Sequence, residues 1–313
     1  MNTIGFVGLG AMGGRIARRL IDAGHQVYGT NRTATKAQPL IDRGMKWVDT
    51  PREVADAADV VVSMVSDDAA LEAITGGADG ILAGLAPGKV YVDMSTVSPE
   101  TSAKIAERVR SIGARMLDAP VSGSVPQAAT GTLTIMVGGE DAAFRQVEQL
   151  LDELGQTVTR VGDNGQGVLL KLAINISLAV QTLAFSEGLL LAERGGIDAA
   201  LAAQVMSASA IGSPMLEARV PLMLDLPDSA WFDVELMQKD IRLALQAARR
   251  LEVPLPSAET ASDLLATARE LGYSGRDIAS LHALLAQLSK LAAAANEEPT
   301  GDLALIHAGE TGR

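Results

Sequence analysis

The spacing of apolar residues changes near Gly162. Up to that point, short runs rich in β-branched residues (TIGFVG, HQVYGT, DVVVSMV, KVYVDM, ARMLDA, LTIMVGG and QTVTRVG) alternate with stretches of helical periodicity. Alternation of this kind predicts βα units wound around a mostly parallel sheet. DVVVSMV is apolar at nearly every position, as a strand covered by helices on both faces must be, and is assigned to the interior of the sheet.

Beyond Gly162 the β-branched runs cease, and Leu/Ala-rich segments take over at roughly 164–195, 198–208, 234–251, 257–271 and 278–295. The first is apolar almost all round, and at about 1.5 Å per residue it would run about 48 Å, longer than a small domain is wide. It is expected to link two domains and to be buried by more than one partner. Lys171, Asn175, Gln181 and Glu187 interrupt it, which leaves no uncharged run of about 20 residues to span a bilayer. The residues after Asn296 combine turn formers and charge around one short apolar patch and read as a weakly ordered tail, 297–313.

Composition narrows the function classes. A chain of 313 residues, 48% hydrophobic and 20% charged, has the usage of a folded protein with room for two cores. Its 38 acidic and 26 basic residues leave a formal charge of −12 with no basic stripe, which argues against nucleic acid as a partner. With no cysteine there is no disulfide, thiolate nucleophile or Cys-ligated zinc, and His25, His282 and His307 are too scattered to suggest a metal site. The first residues carry no basic n-region, so a cytoplasmic location is expected.

Chemistry first becomes specific at Gly8, Leu9, Gly10, Ala11, Met12 and Gly13. This GLGAMG follows an apolar strand, precedes a helical pattern (Ile16, Ala17, Leu20, Ile21) and is followed by a second strand at Gln26–Thr30. Glycines at this spacing allow a tight turn, close approach of backbone to a pyrophosphate and close strand–helix packing, while the helix start presents unpaired N–H groups. The expected architecture is therefore α/β. An N-terminal Rossmann-type dinucleotide-binding domain (1–162) is followed by an all-α C-terminal domain (163–296), joined by the long interdomain helix. After the second strand, where NAD sites place an acid, stand Asn31, Arg32 and Thr33. A carboxylate would repel a 2′-phosphate, whereas these side chains can bind one, so NADP (NADPH) is the expected cofactor.

In GQGVLLKLAIN, Gly167, Lys171 and Asn175 fall nearly along one helix face. A lysine in an otherwise apolar helix needs solvent, an acid or a ligand; a snorkelling side chain at a domain edge is the alternative reading.

Here the chain resembles the β-hydroxyacid dehydrogenase family, which includes 3-hydroxyisobutyrate dehydrogenase, tartronate semialdehyde reductase and the glyoxylate/succinic semialdehyde reductases. The resemblance is carried by GFVGLGAMGGRIARRL, DMSTVSP (93–99), DAPVSGSVPQAATGTLTIMVGG (118–139), GQGVLLKLAIN (165–175) and KDIRLAL (239–245), in the family's order across nearly all of 1–290. It implies that Lys171 is the catalytic lysine and that Asn175 helps to hold the substrate. Ser122 and Gly123 would bind the substrate carboxylate, and Thr96 would sit near nicotinamide and substrate. Phe232 would line the pocket, Lys239 would lie beside the cofactor with Asp240 next to it, and Met64 and Val65 would meet the ribose and nicotinamide end. Ser124 resembles the semialdehyde-reductase branch, whereas GTLTIMVGG resembles the hydroxyisobutyrate side. Asp240 has a second reading, as a surface partner of Lys239 or Arg242.

These residues imply NADPH-dependent reduction of a small carboxylate-bearing aldehyde, or the reverse oxidation of a β- or γ-hydroxy acid, with Lys171 as general acid/base. The rivals are an imine reductase, whose family commonly carries Asp or Tyr at the position of Lys171, and a non-catalytic NADP-binding scaffold. The apolar surface of the helical segments predicts a homodimer, with a tetramer as the alternative, and no membrane partner is expected.

Overall fold

The computed structural model describes residues 3–297. Among the described residues, nine strands form one sheet: β1 (Thr3–Val7), β2 (Gln26–Thr30), β3 (Lys46–Trp47), β4 (Val60–Ser63), β5 (Val90–Asp93), β6 (Arg115–Asp118), β7 (Val121–Ser122), β8 (Leu133–Gly139) and β9 (Gly155–Gly162). Their order is β3-β2-β1-β4-β5-β6-β8-β7, with β9 paired to β8. The first six strands are parallel, β8 runs antiparallel to β6, and β7 runs antiparallel to β8. The order reverses between β1 and β4, the place where open α/β sheets bind ligands at their carboxyl ends. The all-apolar run 60–62 does lie inside the sheet, in β4 between β1 and β5, with every residue of β4 buried.

Alternation along the strands divides the core. Ile4, Phe6, Val60, Val62, Val90, Val92 and Leu117 pack into one cluster, while Val7, Val61, Tyr91 and Met116 belong to a second. The second cluster also takes Val168 and Leu172 from the long helix and Leu243 and Ala244 from the Val234–Arg250 helix. Helical residues therefore cover the sheet face towards which Ser63, Asp93 and Asp118 also project, by the period of two.

The long helix is Gln166–Arg194, 29 residues and so about 44 Å. It is long and apolar enough to cross a bilayer by length and composition, but 44% of its most apolar window is buried. Within one chain its burial is partial, and Leu191 is 76% exposed. Helices also form at Ala199–Ala208, Val234–Arg250, Pro256–Glu270 and Leu281–Glu297, where the Leu/Ala texture places them. The helix Pro214–Leu224 was not expected, because two prolines interrupt its pattern. Pro214 stands at its start, where a missing N–H costs nothing, and the Ser213 hydroxyl caps it by accepting from Leu216 N–H.

Compactness divides the chain elsewhere than at Gly162. One unit is Met1–Val180 with Ser229–Arg276, and the other is Gln181–Asp228 with Asp277–Arg313. The Val234–Arg250 helix groups with the sheet because its buried face packs into the second cluster. The other unit has its own apolar cluster around Phe185, Leu189, Leu216 and Met223, and a buried ion pair between Arg219 and Asp277. Of the tail expected after Asn296, residues 298–313 lie outside the described residues.

Candidate active site

The glycine loop leaves β1 at Gly8, whose φ of +96° suits only a residue without Cβ. A Cβ there would also come within 2.3 Å of Met64 O, and one on Gly13 within 2.1 Å of Gly8 O, so loop, helix start and the neighbouring β4 segment pack backbone to backbone. Gly10 is exposed, with nothing within 4 Å of where a Cβ would sit. The Gly13–Asp22 helix has no acid in its first turn and no side-chain cap at Met12. An open glycine backbone beside an uncapped helix start without an acid in its first turn fits a dinucleotide pyrophosphate.

Asn31 ties the end of β2 to this loop: its Oδ1 accepts from Leu9 N–H at 2.9 Å, and its Nδ2 donates to Thr33 O at 2.9 Å. The Asn31 side chain, expected to bind the 2′-phosphate, thus holds the loop in shape. Arg32 and Thr33 are exposed beside it, as is Ala11, while Met12 packs partly against the core.

After β4, Met64 and Val65 are half-buried; Met64 N–H donates to Val7 O at 3.0 Å and Val65 N–H to Ser95 Oγ at 2.9 Å. Lys239 Nζ donates to Ser66 O at 2.7 Å and also to Thr96 O, so one ammonium clamps the segments following β4 and β5. It also contributes, after the Ala70 N–H bond, to holding the Asp67 carboxyl below its ordinary range.

Lys171 is 9% exposed and Asn175 fully buried. Lys171 Nζ donates to Asn175 Oδ1 at 2.8 Å, and Asn175 Nδ2 donates to Asp240 Oδ2 at 2.5 Å. Lys239 Nζ lies 2.9 Å from Asp240 Oδ1, close enough to pair electrostatically although outside hydrogen-bonding geometry. The reading of Asp240 as a surface partner is corrected: it is 1% exposed, because its position on the Val234–Arg250 helix faces the long helix. Lys171, Asn175, Asp240, Lys239 and Thr96 thus form one connected polar series. A second group gathers around the β7 turn, where Ser122 is half-buried and Gly123 exposed with φ +122°. Ser124 Oγ donates to Trp231 O at 3.3 Å, next to the half-buried Phe232. The Ser124 hydroxyl therefore joins two loops, a use that its sequence position did not disclose.

Two buried carboxyls escaped the sequence reading. Asp93 and Asp118 end β5 and β6, are register partners, and are both 0% exposed. Asp93 Oδ1 accepts from Ser63 Oγ at 2.6 Å and Ser95 Oγ at 2.7 Å, and Ser63 shares a 2.7 Å bond with the Tyr91 hydroxyl. Burial lifts the Asp93 carboxyl to about 6 against these hydroxyl bonds, with the neighbouring Asp118 adding a smaller push. Burial also lifts Asp118, against the N–H bonds from Gly165 and Val168. The available signal was an apolar strand ending in a polar residue: VVVS, VYVD and RMLD all do so.

Comparison with known proteins gives this geometry its family. Residues 3–162 match the NAD binding domain of 6-phosphogluconate dehydrogenase, and residues 165–285 match the NAD-binding domain of NADP-dependent 3-hydroxyisobutyrate dehydrogenase. The chain is similar to 2-hydroxy-3-oxopropionate reductase of Escherichia coli, 38% identical over 290 residues that span 93% of this chain and 98% of the relative. The chain belongs to the β-hydroxyacid dehydrogenase family.

Another β-hydroxyacid dehydrogenase relative is the chloroplastic glyoxylate/succinic semialdehyde reductase 2 of Arabidopsis thaliana, 34% identical over 89% of this chain and 78% of that one. Among solved structures, Psf3 in complex with NADP+ and 2-OPP superposes with a TM-score of 0.84 at 28% identity, covering 90% of this chain and 99% of the other. As a β-hydroxyacid dehydrogenase, the protein is an oxidoreductase with a nicotinamide dinucleotide cofactor, and the Rossmann-like domain followed by helices is the family's fold.

Proposed function

We propose that the protein is an NADPH-dependent reductase of small aldehyde acids of the succinic semialdehyde or glyoxylate type, and equivalently an NADP-dependent dehydrogenase of β- or γ-hydroxy acids. The observation that carries this reading is the buried series from Lys171 through Asn175 to Asp240, a lysine nine-tenths buried with its ammonium oriented by a side-chain amide that is itself anchored by a carboxylate.

Gly8, Gly10 and Gly13 with the helix start hold the pyrophosphate, Arg32 and Thr33 take the 2′-phosphate, and Met64, Val65, Thr96 and Lys239 border the nicotinamide end. The bound nicotinamide supplies the hydride in reduction and accepts it in oxidation. Ser122 and Gly123 bind the substrate carboxylate. As negative charge develops on the carbonyl oxygen, Lys171 stabilises it and transfers one Nζ proton to it, completing the alcohol; solvent then returns the proton to the amine. In oxidation the neutral amine takes the hydroxyl proton. Asn175, fixed by Asp240, limits the rotamers open to Lys171, which lowers the entropic cost of the transition state. A cation at Lys171 repels an iminium, which disfavours imine reduction as the native task.

Exposed Leu191, Leu201 and Val205 on helices of the second unit, with Ile197 in the turn between them, support a homodimer formed through this surface.

The test is NADPH and NADH oxidation by wild type and Lys171→Ala with succinic semialdehyde, glyoxylate and a cyclic imine, with NADPH binding followed by fluorescence. Wild type is expected to turn over the aldehyde acids, faster with NADPH. The variant is expected to lose at least about 100-fold in kcat at unchanged NADPH affinity, the usual worth of a positioned proton donor. Turnover of the imine alone, or full aldehyde activity in the variant, would refute the reading.

A further inference from the structure

Asp118 ends β6, four residues before Ser122 in the chain, and its side chain is fully buried. Its Oδ1 accepts from Gly165 N–H at 2.8 Å and its Oδ2 from Val168 N–H at 3.0 Å. Those two amides open the long helix that carries Lys171 one turn on. Each carboxylate oxygen thus satisfies one donor that the helix start leaves unpaired, and the negative charge complements the helix dipole. The surroundings are cut to this fit: a Cβ on Gly138 would lie 2.7 Å from both carboxylate oxygens, and one on Gly167 would lie 2.8 Å from Oδ2 and 2.6 Å from Met136 O. One buried side chain therefore joins the strand segment that runs into the Ser122–Gly123 turn to the helix that bears the lysine.

We propose that Asp118 is a positioning residue that sets the spacing between the carboxylate-binding turn at Ser122–Gly123 and the Lys171 ammonium, and so selects aldehyde acids by the length of chain between their two polar ends. This rests on the roles given above to Lys171 and Ser122–Gly123. In an aldehyde acid the carboxylate and carbonyl are joined by a fixed number of carbons, so a shift of the helix along or away from the sheet favours one length over another. In glyoxylate the two groups are on adjacent carbons; in succinic semialdehyde two methylenes separate them. A misplacement of about 1 Å is enough to change a rate by about 100-fold.

The variants are Asp118→Asn and Gly167→Ala. The first keeps shape but turns one acceptor into an NH2 group facing an N–H; the second drives a methyl against Met136 O and pushes the same helix start. Both are assayed for kcat/KM with NADPH and either glyoxylate or succinic semialdehyde, alongside NADPH dissociation and thermal midpoint. The ratio of the two kcat/KM values is expected to move by about tenfold or more in each variant, with NADPH affinity retained because the glycine loop is remote from this seat. If Asp118→Asn does not fold, Gly167→Ala alone carries the test. Parallel losses on both substrates, or a lowered midpoint with an unchanged ratio, would overturn the proposal, since a merely structural carboxylate leaves the ratio untouched. Full activity of Lys171→Ala would instead overturn the functional reading beneath it, and with it this proposal.

Discussion

Asp93 makes the stability of this protein depend on pH in a direction opposite to that of an ordinary salt-bridged aspartate. Its carboxyl is pushed from 3.8 to about 6 by complete burial, so the native state holds a proton that the unfolded chain has already released. Below roughly pH 3 the group is protonated in both states and contributes nothing; as pH rises towards the native value, the unfolded state ionises first and stability falls; well above that value the whole penalty is present. The difference of about 2.2 pH units corresponds to about 3 kcal/mol. Asp93→Asn removes this titration and relieves only the smaller coupling with Asp118, while Tyr91, Ser63 and Ser95 are present in both proteins. Urea unfolding of both proteins, at one protein concentration and ionic strength across roughly pH 4 to pH 7, isolates the effect as the difference between two curves. Relative to wild type, Asp93→Asn is expected to gain about 2.4 kcal/mol between the ends of that range, whatever its offset at the acid end. Parallel curves, or a difference of the opposite slope, would refute the assignment of Asp93 as a buried acid held by hydroxyl groups.

Gly10→Ala meets no protein atom within 4 Å and should leave unfolding of the cofactor-free protein within about 0.5 kcal/mol of wild type while weakening NADPH binding by about tenfold or more, as read by fluorescence titration. Gly8→Ala, at φ +96° and with Met64 O 2.3 Å from the new Cβ, should in contrast lower stability itself by about 1–3 kcal/mol in the same unfolding assay. Arg219→Met removes the guanidinium partner of the fully buried Asp277 and is expected to cost about 3–5 kcal/mol in the unit built from 181–228 and the residues after 276, seen as an earlier transition or early loss of hydrogen-exchange protection there.

Much of the fold was legible because it is written in short-range patterns. The seven β-branched runs each hold a strand, and these strands end at Val7, Thr30, Ser63, Asp93, Asp118, Gly139 and Gly162, while the two-residue strands β3 and β7 are too short to leave a periodic signal. The helix at Pro214–Leu224 was hidden because its prolines look like breaks until their places in the first turn and beyond are known. In the site, the glycine loop and the Lys171–Asn175 stripe were readable, since each lies within one or two turns of chain. Asp93 and Asp118 stood inside motifs that drew notice for their serines and glycines, and only burial revealed what the acids do.

What the sequence by itself determined is the order of the longer strands and the Leu/Ala-rich helices, the dinucleotide loop, and the types of residue available for proton transfer and carboxylate binding. What the tertiary structure decided is how those residues are held. The bond from Asn175 to Asp240 spans 65 positions and that from Val168 to Asp118 spans 50, while Asn31 reaches back 22 positions to Leu9. Helical and strand periods report only which side of a local element a residue occupies. Whether a charge on that side meets solvent, another charge or a helix start depends on strand pairing and helix docking, and the low dielectric that those create then sets its chemistry.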